Sequence, residues 1–361
     1  MPASSPGPRL RMRCAVWSLI GGAAAMLVLL GSGCNTPGRP APGRAGGAPT
    51  LSQADRMTLQ NRALDLLLQA AEHDDPVVAC NAIESLVRVA PRDGLPAFRR
   101  ALHSEMPLVR YAGFVALGQL RDKASLAEIT AGVNDAHPNV RLAAAFAAYR
   151  NGKTGYARVL VQALSDGPDE GLRAEAAGLI GRLDEPAAKR WLRHVLRTSP
   201  GSKATRVSLA INGALARLGD EEALGQLVLH ARGDTVARTE ALLIISELDL
   251  PAASEELLYA LVGPEEEYLE ARLIAARGLG KLGHREGYDL AARMVTYTDP
   301  NPNPTAEKPD RTFPVRSLAI HALAEMRDAR ALDLLCTAAA DPEDPRLQVA
   351  AAYAICRILG R

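Results

Sequence analysis

The sequence predicts an all-α fold, an α-solenoid of about nine stacked helix pairs. Two observations support this prediction. Ala and Leu supply 64 and 51 of the 361 residues, whereas only 4% of the residues are aromatic, and this composition favours helices over sheets. In addition, one short pattern recurs every 31 to 34 residues along most of the chain. Such a period is typical of repeat architectures, in which neighbouring units share one core.

The first element of the chain is a targeting segment. Arginines between positions 9 and 13 precede an apolar run over residues 15–30, and the small residues 31–33 follow it. A basic region, an apolar core and small residues at the end are typical of a secretory signal peptide. The run is also shorter than the roughly 20 residues that span a membrane. The sequence therefore predicts a signal peptide over residues 1–33.

The signal ends at Cys34, and this ending resembles the lipobox of bacterial lipoproteins, whose cysteine becomes the lipid-modified first residue. The resemblance is partial, because Gly31 stands where the lipobox favours Leu. It implies lipidation of Cys34, and an uncleaved signal anchor is the alternative. Residues 34–52 would then form the anchor and a flexible tether, because residues 35–50 hold four Pro and four Gly without an apolar period. Both alternatives place the rest of the chain outside the cytoplasm.

The remaining residues, 53–361, form a repeat array. An apolar or small residue precedes an Arg seven times, with Ala three residues and Leu or Ile seven residues after most of these arginines. Positions three, four and seven residues after one anchor lie on a single helical face, so each unit contains a helix with one apolar side. The seven arginines, here named the arginine ladder, are Arg110, Arg141, Arg173, Arg206, Arg238, Arg272 and Arg316.

Each ladder helix is the second of a pair. A turn rich in Asp, Pro or Gly precedes it, as at residues 74–76, and a shorter apolar helix precedes the turn. Asp caps helix N-termini, and Pro is tolerated in a first turn. One ladder spacing is 44 residues, and the four Pro between positions 300 and 309 exclude a helix there. We therefore expect an insertion loop at residues 297–313, either a contact loop or a tolerated insertion.

The repeat reads Asp-x-x-Pro-x-Val-Arg-x-x-Ala-x-x-x-Leu-Gly, with examples at residues 137–141 and 275–280. This pattern resembles the HEAT repeat, and most closely the short subtype named after phycobilisome lyases. The resemblance covers essentially the whole chain after the tether. It implies a right-handed superhelix whose second helices line the concave side. It does not imply one function, because the family mostly provides protein-interaction scaffolds and its few enzymes add specific residues.

The arginine ladder has two interpretations. Seven arginines at equivalent places could present a basic stripe to an anionic partner. Alternatively, each Arg bonds turn carboxylates, such as Asp135 or Asp166, and the terminal carbonyls of neighbouring helices. The planar guanidinium suits bidentate bonds of this kind, so we interpret the ladder as structural.

The face opposite the core, at positions 2, 5 and 9 after the ladder position, is the candidate binding surface. In some repeats this face is polar, as at Asn81, Glu84 and Arg88, but in others it is apolar. Apolar side chains that a pattern exposes suggest a groove for a partner; the alternative is that neighbouring second helices cover one another. The candidate partner-binding stripe consists of Val115, Phe146, Ile211, Leu243 and Tyr353.

Signals of catalysis are absent from the sequence. It contains no HExxH, GxSxG, Walker or GxGxxG motif. None of the seven His is followed by Glu, whereas the HEAT-repeat hydroxylase of the deoxyhypusine pathway depends on His-Glu dipeptides for iron. We therefore expect no enzyme activity, no metal and no cofactor. The balance of 42 basic and 41 acidic residues also gives no reason to expect nucleic-acid binding.

Together these features predict a non-catalytic scaffold that is lipid-anchored in the cell envelope and faces the periplasm or the outside. It would bind a partner protein or peptide on its concave face. One alternative is a structural envelope spacer without a specific client. A second is an enzyme of the HEAT-repeat family, such as a lyase.

Overall fold

A computed structural model describes residues 51–198, 206–233, 236–262, 269–305 and 309–360. The predicted signal peptide, Cys34 and nearly all of the tether lie outside the described residues. Within these ranges the regular secondary structure is helical, with eighteen α-helices and several short 3-10 turns. The predicted all-α solenoid of helix pairs is therefore confirmed.

The helices alternate between an outer and an inner layer. The outer helices are α1 Gln53–Ala70, α3 Pro91–Ala101, α5 Leu126–Ala131, α7 Ala157–Asp166, α9 Ala188–Thr198, α11 Glu221–Ala231, α13 Ser254–Val262, α15 Tyr288–Met294 and α17 Leu332–Ala340. The inner helices are α2 Pro76–Val89, α4 Pro107–Leu120, α6 Pro138–Arg150, α8 Glu170–Ile180, α10 Arg206–Arg217, α12 Val236–Glu247, α14 Leu269–Lys281, α16 Thr312–Met326 and α18 Pro345–Leu359. None of the helices described here has the length and apolar character needed to cross a membrane.

The inner helices begin and end in similar ways. The Asp75 carboxylate caps α2 by accepting a hydrogen bond from Val77 N at 2.7 Å, and Pro76 occupies the first turn. Asp169 and Asp344 cap α8 and α18 in the same manner. After α4 and α16 the chain turns through Arg121 and Arg327, both with positive φ. These turns end each helix on the same side of the array.

Small residues bring consecutive inner helices into close contact. A Cβ atom built on Gly181, directly after α8, would lie 2.7 Å from the Cβ of Ala214 on α10. A Cβ on Gly118 of α4 would lie 2.8 Å from the Cα of Ala147 on α6. At these two positions only glycine permits so close a backbone approach.

The array closes into a ring. The last inner helix, α18, packs against both helices of the first repeat. Its contact with α1 is equivalent to the contact of α2 with α3, in which an inner helix meets the outer helix of the following repeat. The first repeat therefore follows the ninth as if it were the next unit, and the concave side becomes an enclosed centre.

The predicted insertion loop lies between α15 and α16, and α16 begins at Thr312, inside the predicted range 297–313. The Asp299 carboxylate accepts a hydrogen bond from Arg311 N at 2.7 Å, and Asp299 N donates to Thr312 Oγ1 at 2.9 Å. Arg311 also donates to Glu270 of α14 at 2.6 Å. These bonds fix the described part of the loop against the neighbouring inner helix.

Candidate functional site

A cavity of about 970 Å³ occupies the centre of the ring, on the side where the inner helices end. In the described part of the chain, every one of the nine repeats contributes to its wall, through the inner helix or the residues just after it. Arg88, Gln119, Arg217 and Arg285 are exposed there, so the cavity communicates with solvent. Its volume lies at the upper end of the range of small-molecule sites.

The cavity wall is highly charged. Its basic residues are Arg88, Arg150, Arg182, Arg217, Lys281, Arg285, Arg327 and Arg357, and its acidic residues are Glu84, Asp184, Glu247, Asp249 and Glu325. Ile83, Val87, Val115, Phe146 and Met326 supply apolar patches between them. The cavity therefore combines a moderate excess of positive charge with apolar surface.

Glu247, the last residue of α12, is the first centre of an ion-pair network. Its carboxylate pairs with Arg277 and accepts a hydrogen bond from Lys281 Nζ at 2.7 Å; Arg277 is only 1% exposed. Arg88 of α2 approaches from the opposite side of the ring, with Nη2 at 3.8 Å. Burial would raise the pKa of Glu247, but the charges of Arg277, Lys281 and Arg88 outweigh it and hold this pKa well below its ordinary value.

Glu325 of α16 is the second centre of the network. It accepts hydrogen bonds from Arg357 Nη2 at 2.7 Å and from Tyr353 OH at 2.8 Å, and Arg88 Nη1 lies 3.9 Å away. Burial opposes ionisation, yet Arg357 lowers the pKa of Glu325 to about 2. Arg88 therefore joins α2 to both α12 and α16, and these charges connect repeats that are distant in the sequence.

Two further titratable groups, His321 and Glu175, lie near the centre. Burial, followed by the charges of Arg277 and Arg88, lowers the pKa of His321 to about 3, so the imidazole is neutral at ordinary pH. Glu175 of α8 is 1% exposed and accepts a hydrogen bond from Tyr111 OH of α4. Burial raises the pKa of Glu175 to about 7, and its second oxygen, Oε2, has no hydrogen-bond partner among the described residues.

The arginine ladder lies at the starts of the inner helices. Arg110 donates to both carboxylate oxygens of Asp135, at 2.8 and 2.9 Å, and Arg141 donates to the Asp135 carbonyl at 2.9 Å. Three ladder arginines bond a carbonyl near the end of the outer helix of their own repeat: Arg173 to Leu164, Arg272 to Leu261 and Arg316 to Val295. Arg206 lies 3.7 Å from Glu240, and Arg238 lies on α12.

The apolar stripe is buried, which corrects the exposure expected from the sequence. The exposed fractions are 9% for Val115, 0% for Phe146, 1% for Ile211, 5% for Leu243 and 2% for Tyr353. Neighbouring inner helices cover one another, as where Gly118 of α4 lies against Phe146 of α6, which was the alternative interpretation of this face. Val115, Phe146 and Tyr353 still contribute to the cavity wall, whereas Ile211 and Leu243 pack into the core.

Among the charged residues of the cavity, the sequence pattern pointed only to Glu84 and Arg88, although the repeat contains a signal for most of the others. In the first and last repeats, Ala79 and Gln348 occupy the ladder position in place of Arg. The ninth position after the ladder position lines the cavity in eight repeats: Arg88, Gln119, Arg150, Arg182, Glu247, Lys281, Glu325 and Arg357. Each of these side chains is polar. The relevant signal was thus the polar ninth position rather than the apolar second and fifth positions.

The described residues contain no group of three or more His, Cys, Asp or Glu side chains arranged to hold a metal ion. The cavity instead offers guanidinium groups, an ammonium group and carboxylates, most of them already paired. This arrangement can bind a charged ligand through hydrogen bonds and ion pairs.

Comparison with known proteins agrees with the repeat pattern. A family model described as HEAT repeats matches residues 64–150, 157–246 and 254–356. No curated protein matches the sequence.

Several solved structures are similar to the chain. Human deoxyhypusine hydroxylase in complex with glycerol is 17% identical, with a TM-score of 0.36, over 76% of this chain and 98% of that one. The complex of CpcE and CpcF of phycocyanin lyase from Nostoc sp. PCC7120 is 22% identical, with a TM-score of 0.39, over 68% and 93%. A structure of Kap95p with RanGDP is 12% identical, with a TM-score of 0.34, over 84% and 49%.

The family match extends over most of the nine helix pairs and agrees with the pattern that the sequence predicted. The chain belongs to the HEAT-repeat family.

Proposed function

We propose that the protein is a non-catalytic, envelope-anchored interaction scaffold, and that its client protein docks at the open mouth of the central cavity. The observation that carries this proposal is the cavity itself, because all nine repeats of the described chain contribute to it. Ion pairs such as those of Arg88 with Glu247 and Glu325 hold distant repeats of this wall together, and preorganised sites bind with a smaller loss of conformational entropy. The buried stripe leaves this mouth as the accessible part of the concave face.

The titration behaviour of the described groups supports a binding role rather than acid–base catalysis. Burial raises the pKa values of Glu247 and Glu325, but nearby cations lower them by more, and both carboxylates are bound in ion pairs. Glu175, whose pKa of about 7 would suit proton transfer, is buried and does not line the cavity. A group that transfers protons to a substrate must reach it within hydrogen-bond distance.

The proposed location rests on the sequence before the ring. The basic and apolar segments end at Cys34, and the following 16 residues are rich in Pro and Gly. A flexible chain of this length has a root-mean-square reach of roughly 20 Å. Lipidation at Cys34 would therefore hold the ring just off a membrane, where a client could approach the cavity.

A photo-crosslinking amino acid placed at Gln119 tests this function in membranes of the native host. Gln119 is exposed and lines the cavity, whereas Gln226 is exposed on the outer helix α11. We expect a discrete crosslinked protein from position 119 and none from position 226. We also expect an alkyne fatty acid to label the wild-type chain, while Cys34→Ser removes both the label and the crosslink.

Cys336→Ser serves as the matched control, because Cys336 is a free thiol on α17; it should keep the label and the crosslink. Equal crosslinking from positions 119 and 226, or none from position 119, contradicts docking at the cavity. A fatty-acid label that persists in Cys34→Ser contradicts the anchor.

A further inference from the structure

We propose that the mouth of the cavity is an anion site, and that Arg182 and Arg217 together bind a carboxylate of an acidic peptide segment of the client. This inference rests on the proposed function in one respect, namely that a client enters at this mouth. It specifies the chemistry of the segment that enters.

Four of the five carboxylates of the cavity are already bound to other cations. Glu247 and Glu325 are each shared between two or more basic side chains. Asp184 pairs with Arg150, and Asp249 lies 3.5 Å from Lys281. The acidic residues of the wall therefore neutralise its remaining arginines only in part, as the charges of Glu247 and Asp249 on Arg217 show.

Arg182 and Arg217 belong to these remaining arginines. Arg182 has no side-chain hydrogen bond or ion pair within the described residues, although its charge acts on the buried carboxylate of Glu175. Arg217 donates a single hydrogen bond, from Nη2 to the Glu247 carbonyl at 3.2 Å. Because a guanidinium carries five N–H donors, most donors of both groups remain available to a ligand.

The fold sets these two arginines side by side. Arg182 comes just after α8, and Arg217 is the last residue of α10. The close contact of Gly181 with Ala214 holds the ends of these helices together. Burial, followed by the positive charge of Arg182, lowers the pKa of Arg217, and the charges of Glu247 and Asp249 offset this effect in part. The two guanidinium charges therefore repel each other. An anion between them would relieve this repulsion and accept bidentate hydrogen bonds.

The surroundings favour an acidic peptide over a nucleic acid. The wall contains five acidic residues as well as eight basic ones, and the whole chain is close to neutral. Nucleic-acid sites depend on a strong basic surface. Val87, which is partly exposed, adds apolar contact area, and this suits a polypeptide that carries acidic and apolar side chains.

Fluorescence anisotropy with a rhodamine-labelled hexaglutamate peptide and the full chain in detergent tests this inference. We expect hexaglutamate to bind and hexalysine not to bind. Arg182→Gln and Arg217→Gln should each weaken binding about tenfold or more, because hydrogen bonds between charged groups are the strong ones. The matched controls are Arg158→Gln and Arg190→Gln, which remove exposed arginines from α7 and α9, the outer helices of the same two repeats; they should change binding less than twofold.

Unchanged hexaglutamate binding in Arg182→Gln and Arg217→Gln overturns the inference, as does a short single-stranded DNA that binds more tightly through the same arginines. Competition by inorganic phosphate alone, without peptide binding, also overturns it. Circular dichroism of each variant excludes unfolding as the cause of lost binding. If Gln119 crosslinks a client but hexaglutamate does not bind, only this inference fails; if no client is crosslinked, the proposed function fails.

Discussion

Replacing Glu247 by Ala is expected to lower the free energy of unfolding by about 3–5 kcal/mol, the typical cost of removing one partner from a buried ion pair. The change leaves Arg277, which is 1% exposed, and the buried Lys281 amine without their common carboxylate. Chemical denaturation followed by circular dichroism measures the loss. Because Arg88 reaches Glu247 from the first repeat, the change should also loosen the closure of the ring.

The matched control is Glu72→Ala, which breaks the ion pair between Glu72 and Arg100. The side chains of that pair are 60% and 61% exposed, so its loss should cost about 1 kcal/mol or less. Equal losses for Glu247→Ala and Glu72→Ala would contradict the account of the charged centre.

The same network makes the free energy of unfolding depend on pH. The folded-state pKa values of Glu247 and Glu325 both lie below the ordinary value of 4.5, and the pKa of Glu325 is about 2. Such groups contribute stability above pH 4.5 and lose this contribution as the pH falls toward their folded pKa values. Glu247→Ala should accordingly lose less stability than the wild type between pH 5 and pH 3.

Replacing Glu175 by Gln is expected to raise the free energy of unfolding by about 2–3 kcal/mol at pH 8, with little effect at pH 4. Burial raises the pKa of Glu175 from 4.5 to about 7. The unfolded chain therefore ionises first as the pH rises, and the folded state loses stability between pH 4.5 and pH 7. Gln cannot ionise, yet its oxygen can still accept the hydrogen bond from Tyr111.

Glu185→Gln is the control for this prediction. Glu185 likewise accepts a hydrogen bond from a tyrosine, Tyr149 OH at 2.7 Å, but the pKa of Glu185 is lowered by that bond rather than raised by burial. The control should therefore gain no stability at pH 8. Unfolding curves of both variants at pH 4 and pH 8 decide the question, and a gain for Glu175→Gln that is the same at both pH values would exclude ionisation as its cause.

The helix pairs were predictable because their signals are local and repeated. Caps such as Asp75, prolines in first turns and apolar positions at helical spacing act within one or two turns of chain. The pattern occurs nine times. Single exceptions therefore do not obscure it, such as Gly113 and Leu209, which stand where most repeats have Ala three residues after the ladder position.

Ring closure was not predictable, because it depends on small angles between repeats that add up over the whole array. The contact of α1 with α18 joins the two ends of the described chain, and no local pattern marks it. Nor did the sequence reveal how closely neighbouring inner helices pack, and Phe146 and Ile211 are only 0% and 1% exposed as a result. The polar ninth position of the repeat indicates which residues line the enclosed centre, but it does not indicate that the array closes.

The distance between the first and last outer helices tests ring closure, the central claim, most directly. Spin labels can be introduced through noncanonical amino acids at Gln69 of α1 and Thr337 of α17, which are both exposed. Because neighbouring helices lie 8–10 Å apart, the ring predicts a label distance of roughly 20–30 Å by electron–electron double resonance. A distance of roughly 70–80 Å, the separation across an open row of nine pairs, would contradict the closed ring and the cavity that depends on it.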